Sequence, residues 1–108
     1  MIEEFIPKGY KNRVSRGYLH EILHISDRDI RKQIEEAADR GILIASYDGG
    51  YFQYGGRRDD EYFADYFRRE EHRTRTLSRN VRKKKKRFMA ITGKDPKQIP
   101  GQMSFFKG

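Results

Sequence analysis

Val14-Ser15-Arg16-Gly17-Tyr18-Leu19-His20-Glu21-Ile22-Leu23-His24-Ile25-Ser26-Asp27-Arg28-Asp29-Ile30-Arg31 is the stretch on which the fold turns. Ser15 can accept a hydrogen bond from the first amides of a helix, so a helix is expected over Arg16 to Leu23. Val14, Tyr18, Leu19, Ile22 and Leu23 share one face of it. His24-Ile25 leaves room only for a tight connection. Ser26 then opens a second helix, and Asp29, three residues on, resembles a capping box with a shorter acid. This helix reads to about Arg40 and stops at Gly41, with Ile30, Ile34, Ala37 and Ala38 as its buried stripe.

Downstream, Ile42 to Ser46 and Tyr51 to Tyr54 are rich in strand-forming residues and flank Tyr47-Asp48-Gly49-Gly50, which reads as a hairpin turn. Gly55-Gly56 breaks the chain, and Asp59, Asp60 and Glu61 supply the acidic first turn of a long third helix. Tyr62, Phe63, Tyr66 and Phe67 give that helix an aromatic face. Upstream, Met1 to Lys11 reads as a short extended lead-in ending in the turn Pro7-Lys8-Gly9. From Thr92 on, Gly93, Pro96, Pro100 and Gly101 suggest a flexible tail.

Helix, tight turn, helix and hairpin is the order of a winged helix-turn-helix. The expected class is therefore mostly α with a small β-hairpin: a winged helix-turn-helix over 1–67, a long basic helical extension over 68–91, and a flexible tail over 92–108. Val14 to Leu19, Ile25 to Arg31, Gly41 to Ile44 and Gly49 to Phe52 together resemble a family of small winged-helix proteins of bacteriophages and prophages. The resemblance covers roughly residues 5 to 67. It implies DNA binding, in phage replication or regulation, and carries no catalytic signature. Many winged helices have a full helix before the helix-turn-helix pair. Here only the lead-in stands there, so the helix after the hairpin must complete the core, with Tyr62, Phe63, Tyr66 and Phe67 packing onto it.

The charge supports the same class. The chain of 108 residues carries a net charge of +8, with 37% charged and 35% hydrophobic residues. Between Phe67 and Arg87 eleven Lys/Arg face only Glu70 and Glu71, so this one segment holds the whole basic excess. Such a concentration points to a polyanion partner, the competing reading being a solvated tail or helix end. Candidate phosphate contacts are Arg79, Arg82, Lys83, Lys84, Lys85, Lys86 and Arg87, with Arg57 and Arg58 after the hairpin. Candidate base contacts are Arg28, Arg31 and Lys32, opposite Ile30 and Ile34 in the half of the second helix that a recognition helix presents to the major groove. The competing reading of these three is surface pairing of Asp27 with Arg31, Arg31 with Glu35 and Lys32 with Glu36. Glu35 and Asp39 on the same face would repel phosphate. The hairpin tip carries no Lys or Arg and reads as a turn chosen for backbone geometry.

Other classes fall away. No cysteine is present, so thiolate zinc sites and disulfides are excluded. No uncharged run is long enough to span a bilayer, and Glu3-Glu4 does not open a signal peptide, so no membrane partner and a cytoplasmic place, in a bacterial host, are expected. His20 and His24 lie one turn apart without a carboxylate to complete a metal site, and no nucleophile set or phosphate-binding glycine loop emerges. A non-enzymatic protein without cofactor is expected. The heptad-like series Phe63, Phe67, Glu70, Thr74, Leu77, Val81, Lys84 and Phe88 is polar at three positions and does not argue for a dimer.

At the end, Gln102-Met103-Ser104-Phe105-Phe106 resembles the pentapeptide by which proteins bind the bacterial sliding clamp. Gln102 suits a small polar subsite, and Met103, Phe105 and Phe106 suit an apolar groove. The expected partners are thus duplex or forked DNA and the clamp. Two alternatives stay open: a transcriptional regulator or excisionase-like factor with an accidental tail motif, and a clamp-directed inhibitor of host replication.

Overall fold

A computed structural model describes residues 2–74 and 79–99, apart from the side chains of Arg73, Thr74 and Asn80. Two helices, α1 (Arg16–Leu23) and α2 (Asp27–Asp39), precede an antiparallel pair, β1 (Ile44–Tyr47) and β2 (Gly50–Gln53), and two further helices follow, α3 (Asp60–Thr74) and α4 (Arg79–Thr92). The fold is mostly helical with one small sheet. No helix among the described residues is long and apolar enough to cross a membrane.

The caps form as expected. Ser15 Oγ accepts from the Tyr18 amide at 3.0 Å and Ser26 Oγ from the Asp29 amide at 3.2 Å. His24 takes a left-handed conformation (φ 56°), which turns the chain sharply enough for α2 to start three residues later. Only Leu19 of α1 is fully buried. Tyr18 and Ile22, expected on the core face, are 48% and 37% exposed.

The hairpin is tighter than expected. Tyr47 pairs with Gly50, so the turn is Asp48-Gly49 alone. Both residues have positive φ (51° and 78°), as a two-residue turn with the strands' own twist requires. Its two faces serve two cores. Ile44 joins Ile2, Ile6, Leu19, Ile30, Ile34 and Ala37 on the α1–α2 side. Ala45, Tyr47 and Phe52 join Phe63, Phe67, Val81 and Phe88 on the other. Alternation along each strand sends neighbours to opposite faces, and here both faces are covered. That is why Ile42 to Ala45 is apolar without a break.

Three expectations are corrected. The lead-in expected to be extended, described from Ile2, is not extended. It forms short 3₁₀ turns at Ile2–Phe5 and Tyr10–Asn12, and the segment lies along the free edge of β2. The Val14 and Tyr51 amides exchange bonds at 3.0 and 2.7 Å, and Ile2 and Ile6 are buried in the core. Residues 68–91 are not an extension of one long helix. Phe88 stacks on Phe63 with ring centroids 5.8 Å apart and touches Phe67 and Tyr54 edge-on. A continuous helix would set those two rings about 37 Å apart at 1.5 Å per residue. The heptad-like spacing of Phe63, Phe67, Val81 and Phe88 therefore serves α3 and α4 packing within one chain.

The third correction concerns residues 92–99, expected as tail. Pro96–Gln98 forms a 3₁₀ turn, with Pro96 and Ile99 buried. Arg68 donates to the Pro96 carbonyl at 3.0 Å and to the Ile99 carbonyl, and its other arm holds the buried Asp65 at 3.1 Å. One basic residue of the 68–91 segment is thus a fastener between α3 and the chain's end. Asp59 and Asp60 do more than open a helix. Buried, they accept from the Tyr10 and Gly55 amides and from the Tyr54 hydroxyl, and Lys94 pairs with Asp60 at 3.3 Å.

Candidate nucleic-acid interface

α2 buries Ile30, Ile34 and Ala37 and leaves Arg28, Arg31 and Lys32 exposed in its amino-terminal half. Ala38, expected in the buried stripe, is only half-buried. The competing surface pairs are not seen among the described residues. Asp27 turns to Arg16, 3.5 Å away, and among the described residues Arg28, Arg31 and Lys32 make no ion pair. Three cations thus stand exposed on one helix face, on a helix that also exposes Asp29, Glu35 and Glu36. Arg31 also lies close enough to the half-buried Tyr51 of β2 to act on its hydroxyl, which burial holds above the ordinary tyrosine range.

α4 packs beside the carboxyl-terminal half of α2. Lys83 donates to Asp39, and Arg79 lies near the same carboxylate. The Lys83 hydrogen bond and then its charge hold the Asp39 carboxyl below the usual range. The Arg87 side chain lies over Gly41, whose φ of 81° ends the helix. Asp39, read from sequence as repelling phosphate, is thereby paired by the basic helix, while Glu35 stays exposed on α2.

The basic run divides by environment. Arg79, Arg82, Lys83, Lys86 and Arg87 are exposed, and Lys85 is half-buried. Lys84 is not a surface contact. It is 7% exposed, with Nζ 3.2 Å from the Tyr66 hydroxyl and 5.4 Å from the ring centroid. Burial lowers its pKa to about 8, against the pull of Glu70 and Glu35. The helical repeat sends every third or fourth residue of a lysine run inward, and an inward lysine loses its solvent shell.

Arg57 and Arg58 are exposed, but Arg58 stands elsewhere: it lines a cleft with Lys8, Lys11, Asn12 and the rings of Tyr10 and Tyr62. Sequence reading missed Lys8 and Lys11, and their only signal was the three-residue spacing around a glycine turn. Arg13 was missed too. It packs over the Tyr10 ring at 4.1 Å and donates to the Asp48 carbonyl at 3.1 Å, while the Tyr10 hydroxyl donates to the Asp48 carboxylate. The hairpin tip is clasped to the body and presents an acid, in keeping with a turn chosen for its geometry. His20 Nδ1 contacts the Ile25 carbonyl at 2.6 Å, which ties the α1–α2 connection. No metal-binding cluster occurs among the described residues. Gln102, Met103, Ser104, Phe105 and Phe106 lie outside them.

Compared with protein-family models, curated proteins and solved structures, the chain matches none.

Proposed function

We propose that this chain is a winged helix-turn-helix protein of phage or prophage type that binds duplex DNA without catalysing a reaction. The observation that carries the reading is the set Arg28, Arg31 and Lys32: exposed, without ion pairs among the described residues, and on the leading half of the second helix after a capped, tight connection. α2 enters the major groove, where an arginine can bond a guanine edge in bidentate fashion. α4 brings Arg79, Arg82, Lys86 and Arg87 to neighbouring phosphates, and its Lys83 pairs with Asp39, one of the acids on α2 that would oppose the approach.

Two substitutions separate reading from gripping. Arg31→Ala should cost about 1–3 kcal/mol on a preferred site and little elsewhere, as loss of a base contact does. Arg82→Gln with Lys86→Gln should weaken all sequences alike and lower the salt slope by about 2, close to one per lost phosphate contact. Fluorescence anisotropy over a salt series measures both. Unchanged affinity in both variants at moderate salt would refute the reading.

In this proposal the carboxyl-terminal peptide tethers the protein to the bacterial sliding clamp. What supports it is the motif Gln102-Met103-Ser104-Phe105-Phe106 itself, three residues past Ile99, where the described chain is still fastened to α3. A free peptide spanning Ile99 to Lys107 should bind a clamp with a Kd on the order of micromolar, because ordering a short peptide offsets part of its contact energy. Phe106→Ala should remove most of that binding. Calorimetry without heat of binding would leave a DNA-binding regulator with a coincidental tail. Clamp binding that persists while DNA binding is absent would favour an inhibitor of host replication.

A further inference from the structure

Away from α2 and α4, the second 3₁₀ turn with the two residues before it and the stretch from Gly55 into α3 enclose a cleft of about 330 Å³ lined by Lys8, Lys11, Asn12, Arg58, Tyr10 and Tyr62. Its frame is fixed by backbone. The Gly9 amide donates to the Gln53 carbonyl at 2.9 Å. Gly55 packs so closely that a Cβ would lie 2.9 Å from the Gly9 nitrogen. Asp59 lies beneath, its two oxygens accepting from the Tyr10 amide at 3.1 Å and the Gly55 amide at 2.7 Å. Both oxygens are therefore committed to the frame, and the one charge of Asp59 stands in the lining against three cations.

The cations are not so committed. Lys8, Lys11 and Arg58 are exposed, and among the described residues none makes an ion pair. Two of the lining rings are stacked: Tyr10 lies parallel to Tyr62 at 3.8 Å and 6°, and with the Arg13 guanidinium 4.1 Å from its centroid Tyr10 is covered on both faces, so that Tyr62 ends the stack. Tyr62 remains half-exposed. A planar aromatic platform beside three free cations is the combination that holds unpaired bases and their phosphates, since every base offers a π-face and every linkage a negative charge. The volume is at the lower end for a ligand cleft, suited to one nucleotide rather than to a helix.

We propose that this cleft binds a nucleotide of single-stranded DNA, its base against Tyr62 at the end of the stack and its phosphates on Lys8, Lys11 and Arg58. The site lies apart from the duplex surface proposed above and does not depend on it. A protein with both would grip a junction of double and single strands.

Titration of the isotope-labelled full chain with a thymidine tetranucleotide tests it. Amide resonances are expected to move over Lys8 to Asn12 and Gly55 to Tyr62. The triple variant Lys8→Gln/Lys11→Gln/Arg58→Gln, all exposed positions, should bind the tetranucleotide at least tenfold more weakly while duplex affinity holds. An abasic tetramer of the same charge should bind roughly tenfold more weakly than the thymidine form, as the loss of one stacked base implies. Tyr62→Phe should keep the affinity and Tyr62→Leu should lose it. Resonance changes confined to α2 and α4, or equal affinity for the abasic tetramer, would overturn the proposal.

Discussion

Phe88→Ala is expected to destabilise the protein by about 3–5 kcal/mol, a large share of the roughly 5–15 kcal/mol that holds a domain of this size. Phe88 is fully buried and meets Phe63, Phe67 and Tyr54 with ring centroids between 5.6 and 5.8 Å. Truncation to Ala would leave a cavity in the core that the hairpin shares. It would also loosen α4, and with it the contact between Lys83 and Asp39. Chemical denaturation of wild type and variant gives the difference directly. A loss below about 1 kcal/mol, well under the cost of emptying a packed aromatic site, would mean that α4 is only loosely attached and that the basic segment behaves as an extension after all. DNA binding should fall with stability in Phe88→Ala, whereas Arg82→Gln should lower binding and leave stability in place.

Lys84→Met should make the protein more stable at neutral pH, by as much as about 3 kcal/mol, because it removes a buried charge. Burial holds the Lys84 pKa near 8 in the fold, against an ordinary value of 10.5. Each pH unit that separates the folded from the ordinary value is worth about 1.4 kcal/mol. The sign follows from proton counting. Between pH 8 and 10.5 the unfolded chain holds a proton on this lysine that the folded chain has released, so stability rises with pH across that window. The cost is present in full below pH 8. Above about pH 10 the tyrosines act the other way. Burial, and then hydrogen bonding to Asp65, pushes the Tyr47 hydroxyl up to about 12, and burial and Asp60 push Tyr54 up as well. Their protons are held longer in the fold, so stability falls again as unfolded tyrosines ionise. Wild type should therefore show a rise from pH 8 to about 10, and Lys84→Met should be flat there. Denaturation midpoints at a series of pH values decide it. A variant that keeps the rise would place its source elsewhere than Lys84. Lys84→Met should also bind DNA as wild type does, since a buried ammonium donating to Tyr66 has no phosphate to contact.

The sequence by itself determined the elements whose causes are local. Ser15 and Ser26 announce helix starts because a hydroxyl satisfies amides within the same turn. Asp48-Gly49 announces the hairpin because few residues accept two successive positive φ angles. The exposed face of α2 follows from helical period and the positions of Ile30 and Ile34. Even the aromatic face of α3 was legible, and Phe63, Tyr66 and Phe67 are buried where the pattern puts them.

Only the tertiary structure decided what each charge does, because an ion's role depends on the partner brought to it from far along the chain. Asp39 reads as an obstacle to phosphate until Lys83, on a helix beyond the hairpin, is laid beside it. Lys84 is indistinguishable from Lys83 and Lys86 in a row of lysines, and only the packing of α4 against α3 turns it inward under Tyr66. Arg68 looks like one more basic residue until Asp65 and the carbonyls of Pro96 and Ile99 surround it. Lys8, Lys11 and Arg58 become one cleft only when the edge of β2 draws residues 8–14 alongside it. Periodicity and capping act over a few residues, and a sequence displays them. The pairing of distant charges is set by burial of Phe63, Phe67 and Phe88 in a shared core, where the hydrophobic effect rewards buried area without specifying which polar side chains must travel with it.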